Sequence, residues 1–101
     1  MPLNRDVLPL MSADRGDTSP TLQVGVDAPD QRFATTLTAN RTITLSSTDV
    51  YNGARFRIIR TGLGAFTLDV GGLKTIPSGT AAFCDVEHDG NAWRLAAYGP
   101  L

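Results

Sequence analysis

Only one cysteine, Cys84, and one histidine, His88, occur in the chain. A lone cysteine excludes an intramolecular disulfide, so the fold has to hold by burial, which suits assembly in a reducing cytoplasm. A lone histidine leaves no second imidazole for an ordinary zinc site. No apolar run approaches the ~18 residues of a membrane-spanning helix. The sequence from Met1 also lacks the basic start and apolar stretch of a secretory signal. The expectation is a chain made and used without signal-directed export and without a membrane partner. A net charge of −1 offers no basic surface for a phosphate backbone, so nucleic acid is not an expected partner either.

What the chain does have is an ordinary globular balance. Hydrophobic content of 42% against 19% charged residues argues against wholesale disorder. At 101 residues one domain is expected, with a core that is possible but thin. The charge is unevenly placed: up to Gln31 there are two basic residues against five acids, and beyond it seven basic against five acidic. Ordinary solvation accounts for an asymmetry of that size, though an acidic leading segment on a mildly basic body would show it too.

Residues 1–20 carry Pro2, Pro9 and Pro20 with no sustained helical or alternating period. They read as an extended N-terminal arm ordered by contact with another subunit, its apolar cluster being Val7, Leu8, Leu10 and Met11. Residues 21–101 read as a β-domain. Leu22, Val24 and Val26 alternate on one face, then Phe33, Thr35 and Leu37, then Ile43 and Leu45. Residues 46–53 read as a short helical turn or loop stopped by Asn52-Gly53.

Two hairpins dominate the rest. The first, over residues 54–70, is expected to turn at Thr61-Gly62-Leu63, setting Ile58 against Phe66, Phe56 against Leu68 and Arg55 against Asp69. The second, over residues 82–97, is expected to turn at a two-residue Asp89-Gly90 loop. That register sets Val86 against Trp93, Asp85 against Arg94 and Cys84 against Leu95. The expected fold is all-β: a small antiparallel sandwich or barrel of about seven or eight short strands with the arm attached.

Candidate chemistry is sparse. His88 sits beside a turn, with Asp85 and Glu87 pointing to the opposite face, and reads as a solvated turn residue. Cys84 alternates onto the face of Val86 and Trp93 and reads as a small buried hydrophobe. A glycosidase pair would have to come from Asp69, Asp85 and Glu87, of which Asp69 and Asp85 each have a cross-strand arginine in the expected registers. Arg15-Gly16-Asp17 spells an integrin-type tripeptide, too short to weigh without an extracellular setting. Thr61-Gly62-Leu63-Gly64 lies between strands, whereas a phosphate loop has to open a helix. No catalytic residue, cofactor site or metal site is assigned. Arg55, Arg57 and Arg60 alternate largely onto one face, and Phe83 falls on the polar face of its hairpin. Arg55, Arg57 and Phe83 are therefore the expected contact residues of the body.

Several stretches have a familiar wording: residues 37–45 (LTANRTITL), 52–60 (NGARFRIIR), 66–70 (FTLDV), 89–95 (DGNAWRL) and the closing Gly99-Pro100-Leu101. This part of the chain, from Thr36 onward, resembles small β-modules of tailed-bacteriophage virion proteins, found in tail fibres, spikes and small head proteins. The resemblance implies a non-enzymatic structural part, commonly a homotrimer, located in the virion and assembled in the host cytoplasm. Read as a stand-alone module with an arm, the chain looks most like a capsid decoration, or cement, protein that bridges subunits of the major capsid protein. The alternative is a tail-fibre or spike module that binds a host-surface glycan.

Overall fold

The computed structural model describes residues 10–101, and these form nine strands in two sheets, with no helix among them. They are β1 (Met11–Asp14), β2 (Thr21–Leu22), β3 (Asp30–Phe33), β4 (Arg41–Leu45), β5 (Arg55–Arg60), β6 (Leu68–Val70), β7 (Lys74–Ile76), β8 (Ala82–His88) and β9 (Trp93–Pro100). The first sheet runs β1-β3-β5-β8-β9 and the second β2-β4-β6-β7. The protein is all-β. No helix among the described residues is long and apolar enough to cross a membrane.

The sheets are mixed, not antiparallel. From β1 to β6 the chain alternates between them, and each strand lies parallel to the one two places earlier. It therefore winds as a flattened coil. Asp30 lies opposite Arg57 in the first sheet and Arg41 opposite Leu68 in the second, the same 27-residue step on both sides. After β6 the chain stops coiling: β7 pairs back on β6, β8 crosses to lie antiparallel to β5, and β9 pairs back on β8.

Alternation explains what is enclosed. Phe33, Phe56, Ile58, Ala82, Cys84 and Val86 from the first sheet meet Leu22, Ile43, Leu68, Val70 and Ile76 from the second, with Leu37 between them. Fully burying an aliphatic side chain of this kind contributes about 1.5–3 kcal/mol. Cys84 takes the buried place expected for it. Trp93 closes one rim, its indole N–H donating to the Ser46 carbonyl at 3.2 Å and its ring lying 5.7 Å from that of Phe56.

The expected first hairpin does not form. Strands β5 and β6 belong to different sheets, and Phe66 is partly exposed instead of facing Ile58. The reason lies in Arg60, which has no exposed surface. Its guanidinium donates to the carbonyls of Gly62 (2.9 Å), Phe66 (2.8 Å), Pro77 (3.1 Å) and Ile76 (3.4 Å). Those carbonyls belong to the chain leaving β5 and the chain leaving β7, so one buried cation ties down both crossings. Gly62 is packed so tightly there that a Cβ would lie 2.3 Å from the Thr35 carbonyl oxygen.

The second hairpin forms in a different register. His88 lies opposite Trp93, Glu87 opposite Arg94 and Val86 opposite Leu95; a bulge then puts Asp85 opposite Ala97 and Cys84 opposite Tyr98. The loop has four residues, because the Asp89 carboxylate accepts from the amides of Asn91 and Ala92, each at 2.8 Å. Asp89 is paired with Arg94, which frees Asp85 for a different arginine.

Three other expectations change. Residues 46–53 contain turns and no helical segment, with Asp49 at φ 56°. Strand β2 ends at Leu22, since the Asp27 carboxylate accepts from the Gln23 amide at 2.8 Å and folds residues 23–27 into a turn, leaving Val26 exposed. Within the expected arm, residues 11–14 are a strand of the first sheet, and Asp17 is bound to Arg41 and Thr38 on the body.

Candidate contact surface

The outer face of the first sheet is an ordered array of charge. Strand pairing places Asp30, Arg57 and Asp85 in one row across β3, β5 and β8. It places Arg55, Glu87 and Arg94 in the next row across β5, β8 and β9. Signs alternate along each row, so every charge has an opposite one on the neighbouring strand.

The strongest link in the array is Arg57 to Asp85. Arg57 Nε donates to Asp85 Oδ1 at 2.7 Å and Nη2 to Oδ2 at 2.9 Å, a two-pronged pair. The Asp85 carboxylate raises the Arg57 pKa above its ordinary value. The same guanidinium lies 4.9 Å from the Phe83 ring centre, stacked on its face. Phe83 is half-buried in turn, because its ring lies over Gly99, where a Cβ would come within 2.9 Å of it. Arg57 and Phe83, two of the expected contact residues, therefore form one unit.

Arg55 is exposed and lines two adjoining clefts at the N-terminal ends of β3 and β5. One, of about 260 Å³, is walled by Pro29, Asp30, Arg57 and Asp85. The other, of about 380 Å³, is walled by Leu10, Val24, Pro29 and Tyr51. Leu10 is 78% exposed and Tyr51 60% exposed, so this cleft carries an apolar patch beside a guanidinium. Met11 follows on the edge strand and is also exposed. The fold thus brings Leu10 from the arm together with Arg55 from the body. Val7 and Leu8 lie outside the described residues.

Tyr51 and Pro29 were not legible as surface residues, since nothing local in the sequence links them to Arg55. Asp85 was legible as one half of an ion pair, with the wrong arginine. Only the parallel stacking of β3 on β5, between residues 27 apart, brings these groups together.

The titratable groups weighed for chemistry have structural surroundings. His88 is buried, contrary to expectation: its Nδ1 accepts from the Gly90 amide at 3.0 Å and its ring meets Trp93 edge-on at 5.4 Å. Burial, with Asp85 nearby, pushes the Cys84 thiol up to about 11, so it is protonated at neutral pH. Among the described residues no three of His, Cys, Asp and Glu are grouped as a metal site would need. Asp69, expected opposite Arg55, instead accepts from Gly72 N and Thr75 Oγ1 within its own β6–β7 hairpin.

Compared with known proteins, the chain stands alone: no family model matches it, no curated protein matches its sequence, and no solved structure matches its fold.

Proposed function

We propose that the protein is a bacteriophage head-decoration protein, a non-enzymatic part that bridges subunits of the major capsid protein and assembles with the virion in the host cytoplasm. The observation that carries this reading is the continuous contact surface. The Arg57–Asp85–Phe83 unit and the Arg55 row adjoin the cleft of Leu10, Tyr51 and Pro29. A preformed charged array beside an exposed apolar patch suits a protein surface better than a small substrate. Many copies on one shell turn weak individual contacts into stability by multivalent binding and mass action.

In this reading Arg55, Arg57 and Phe83 contact the shell through the body, while Leu10 and Met11, with Val7 and Leu8, contact it through the arm. The runner-up, a fibre or spike module that binds a host glycan, draws on one observation: Tyr51 presents an exposed ring beside Arg55, as sugar stacking requires.

The experiment mixes purified protein with undecorated phage heads and, separately, with host cells, and counts bound copies. Stoichiometric binding to heads, with greater resistance of the heads to heat, is the expected outcome. Binding to cells and not to heads would replace this reading with the glycan one. Turnover on a polysaccharide panel, lost in Asp85→Ala or Glu87→Ala, would overturn both.

A further inference from the structure

We infer that the open edge of β9 is a self-association strand, through which two copies pair antiparallel about a two-fold axis into one continuous ten-stranded sheet. Strand β9 is the longest strand, with eight residues, and it forms one border of the first sheet. The hydrogen-bonding direction along it follows from its neighbours. His88 exchanges backbone bonds with the loop before β5, donating to Ala54 O and accepting from Gly53 N, so its polar groups face away from β9. By alternation Glu87 faces β9, Arg94 faces back, and Trp93 and Leu95 direct their amides and carbonyls outward. At the far end Leu101 N donates to Ala81 O, which turns Gly99 and Ala97 inward and Tyr98 and Pro100 outward.

One antiparallel register satisfies these outward groups in both copies. It sets Leu95 opposite Tyr98 of the second copy and Trp93 opposite Pro100 of the second copy, with each relation repeated by the two-fold axis. Pro100 has no amide to offer, but its carbonyl serves the Trp93 amide, and an edge strand tolerates proline there. The two bulges meet at the axis, where Ala96 and Ala97 present only methyl groups. Arg94, the only charge on the strand, faces Gly99 of the second copy, so no like charges are opposed. Leu95 lies on the core-facing side opposite Val86 yet is 42% exposed, an apolar side chain that the fold leaves uncovered and this pairing would cover. The strand also lacks the lysine that blunts many free edges.

The inference goes beyond the decoration reading and replaces the three-fold self-contact implied by the resemblance with a two-fold one. It concerns the free protein, so failure to bind phage heads leaves it standing, and a monomer would leave head binding standing. The test is sedimentation equilibrium of the full chain together with amide hydrogen exchange. The expected result is a mass of twice 10.8 kDa. Amides of Trp93, Leu95 and Tyr98 should slow by about tenfold or more as concentration rises, with those of Arg94, Ala97 and Gly99 unchanged. Leu95→Pro, which removes an outward amide without touching the β8 ladder, and Leu95→Lys, which sets a charge on the covered face, should each return the monomer mass with unchanged circular dichroism. A monomer or a trimer at ~100 µM, a dimer indifferent to Leu95→Lys, or a dimer with fast Leu95 and Tyr98 amides would each overturn it.

Discussion

The coiled part of the molecule, β1 to β6, and the closing part, β7 to β9, are built on different rules. In the closing part each strand is joined to its partner by a tight turn, as β6 is to β7 and β8 to β9, so register is set by loop chemistry within a few residues. In the coil every partner lies about twenty or more residues away, and register is set by how the chain crosses between sheets. The consequence is a difference in vulnerability. Damage at a crossing loosens both sheets, whereas damage at a hairpin turn stays at one end of one sheet.

The largest expected effect follows from Arg60. Arg60→Ala would strip the buried carbonyls of Gly62, Phe66 and Pro77 of their donor and leave a cavity between the sheets. A loss of about 3–5 kcal/mol in urea unfolding is expected, with both sheets losing hydrogen-exchange protection. Protection lost only in the first sheet would break the comparison. Gly62→Ala tests the same crossing from the backbone side, since its Cβ would have to displace the Thr35 carbonyl. A loss of about 1–3 kcal/mol is expected, again shared by the two sheets.

Gly90→Ala is the matching test of the closing part. Gly90 sits at φ 91°, where an alanine is strained, but a Cβ there meets Asn52 only at ordinary contact distance. The cost should be about 1 kcal/mol. Exchange should quicken at the ends of β8 and β9 and stay unchanged in β2, β4 and β6. Equal loosening of the second sheet would show that the hairpin is no more local than the coil.

The same division decides what could be read from the sequence. Alternation found the buried faces of Phe33, Ile43, Phe56, Ile58, Leu68, Val70, Cys84 and Val86, because side-chain period is local and survives any choice of partner. Strand partners were another matter. Arg60 continues the alternation of Arg55 and Arg57 only loosely, and a guanidinium is the side chain least expected in a core; only the converging carbonyls of two crossings explain it. The coil's 27-residue step leaves almost no repeated letters: Phe33 stacks beside Arg60 and Gln31 beside Ile58. The hairpin at Asp89 was legible in kind and missed in register, since Asp-Gly also opens a four-residue loop when the aspartate bonds two later amides. The contact surface shared the fate of the coil, with Arg57 and Phe83 found singly and the cleft that unites Leu10 with Arg55 invisible until β3 lay on β5.

The smallest expected effect tests where the coil begins. Strand β1 is held less by its ladder than by Asp14, whose carboxylate accepts from Thr35 Oγ1 at 2.6 Å and from the amides of Ala34 and Gly16 at 2.9 Å each. Those three donors, the Thr35 hydroxyl foremost, hold its pKa down at about 2. An ordinary aspartate in the unfolded chain titrates near ~3.9. Because the folded value is the lower one, the contribution of Asp14 is fully present above about pH 4 and is lost as pH falls towards 2. Asp17 and Asp89 are depressed in the same direction by Arg41 and Arg94, so global stability should fall over the same acid range. What separates Asp14 is place: its protonation releases β1 from β3 at the first turn of the coil. Amides donated along that seam, such as Ala34 and Arg15, should therefore exchange faster at pH 3 than at pH 5 while the β5–β8 ladder remains protected. In Asp14→Asn the Ala34 amide should already exchange fast at pH 5, with little further change at pH 3. Acid loosening of β5–β8 before β1 would mean that the coil does not open from its first strand.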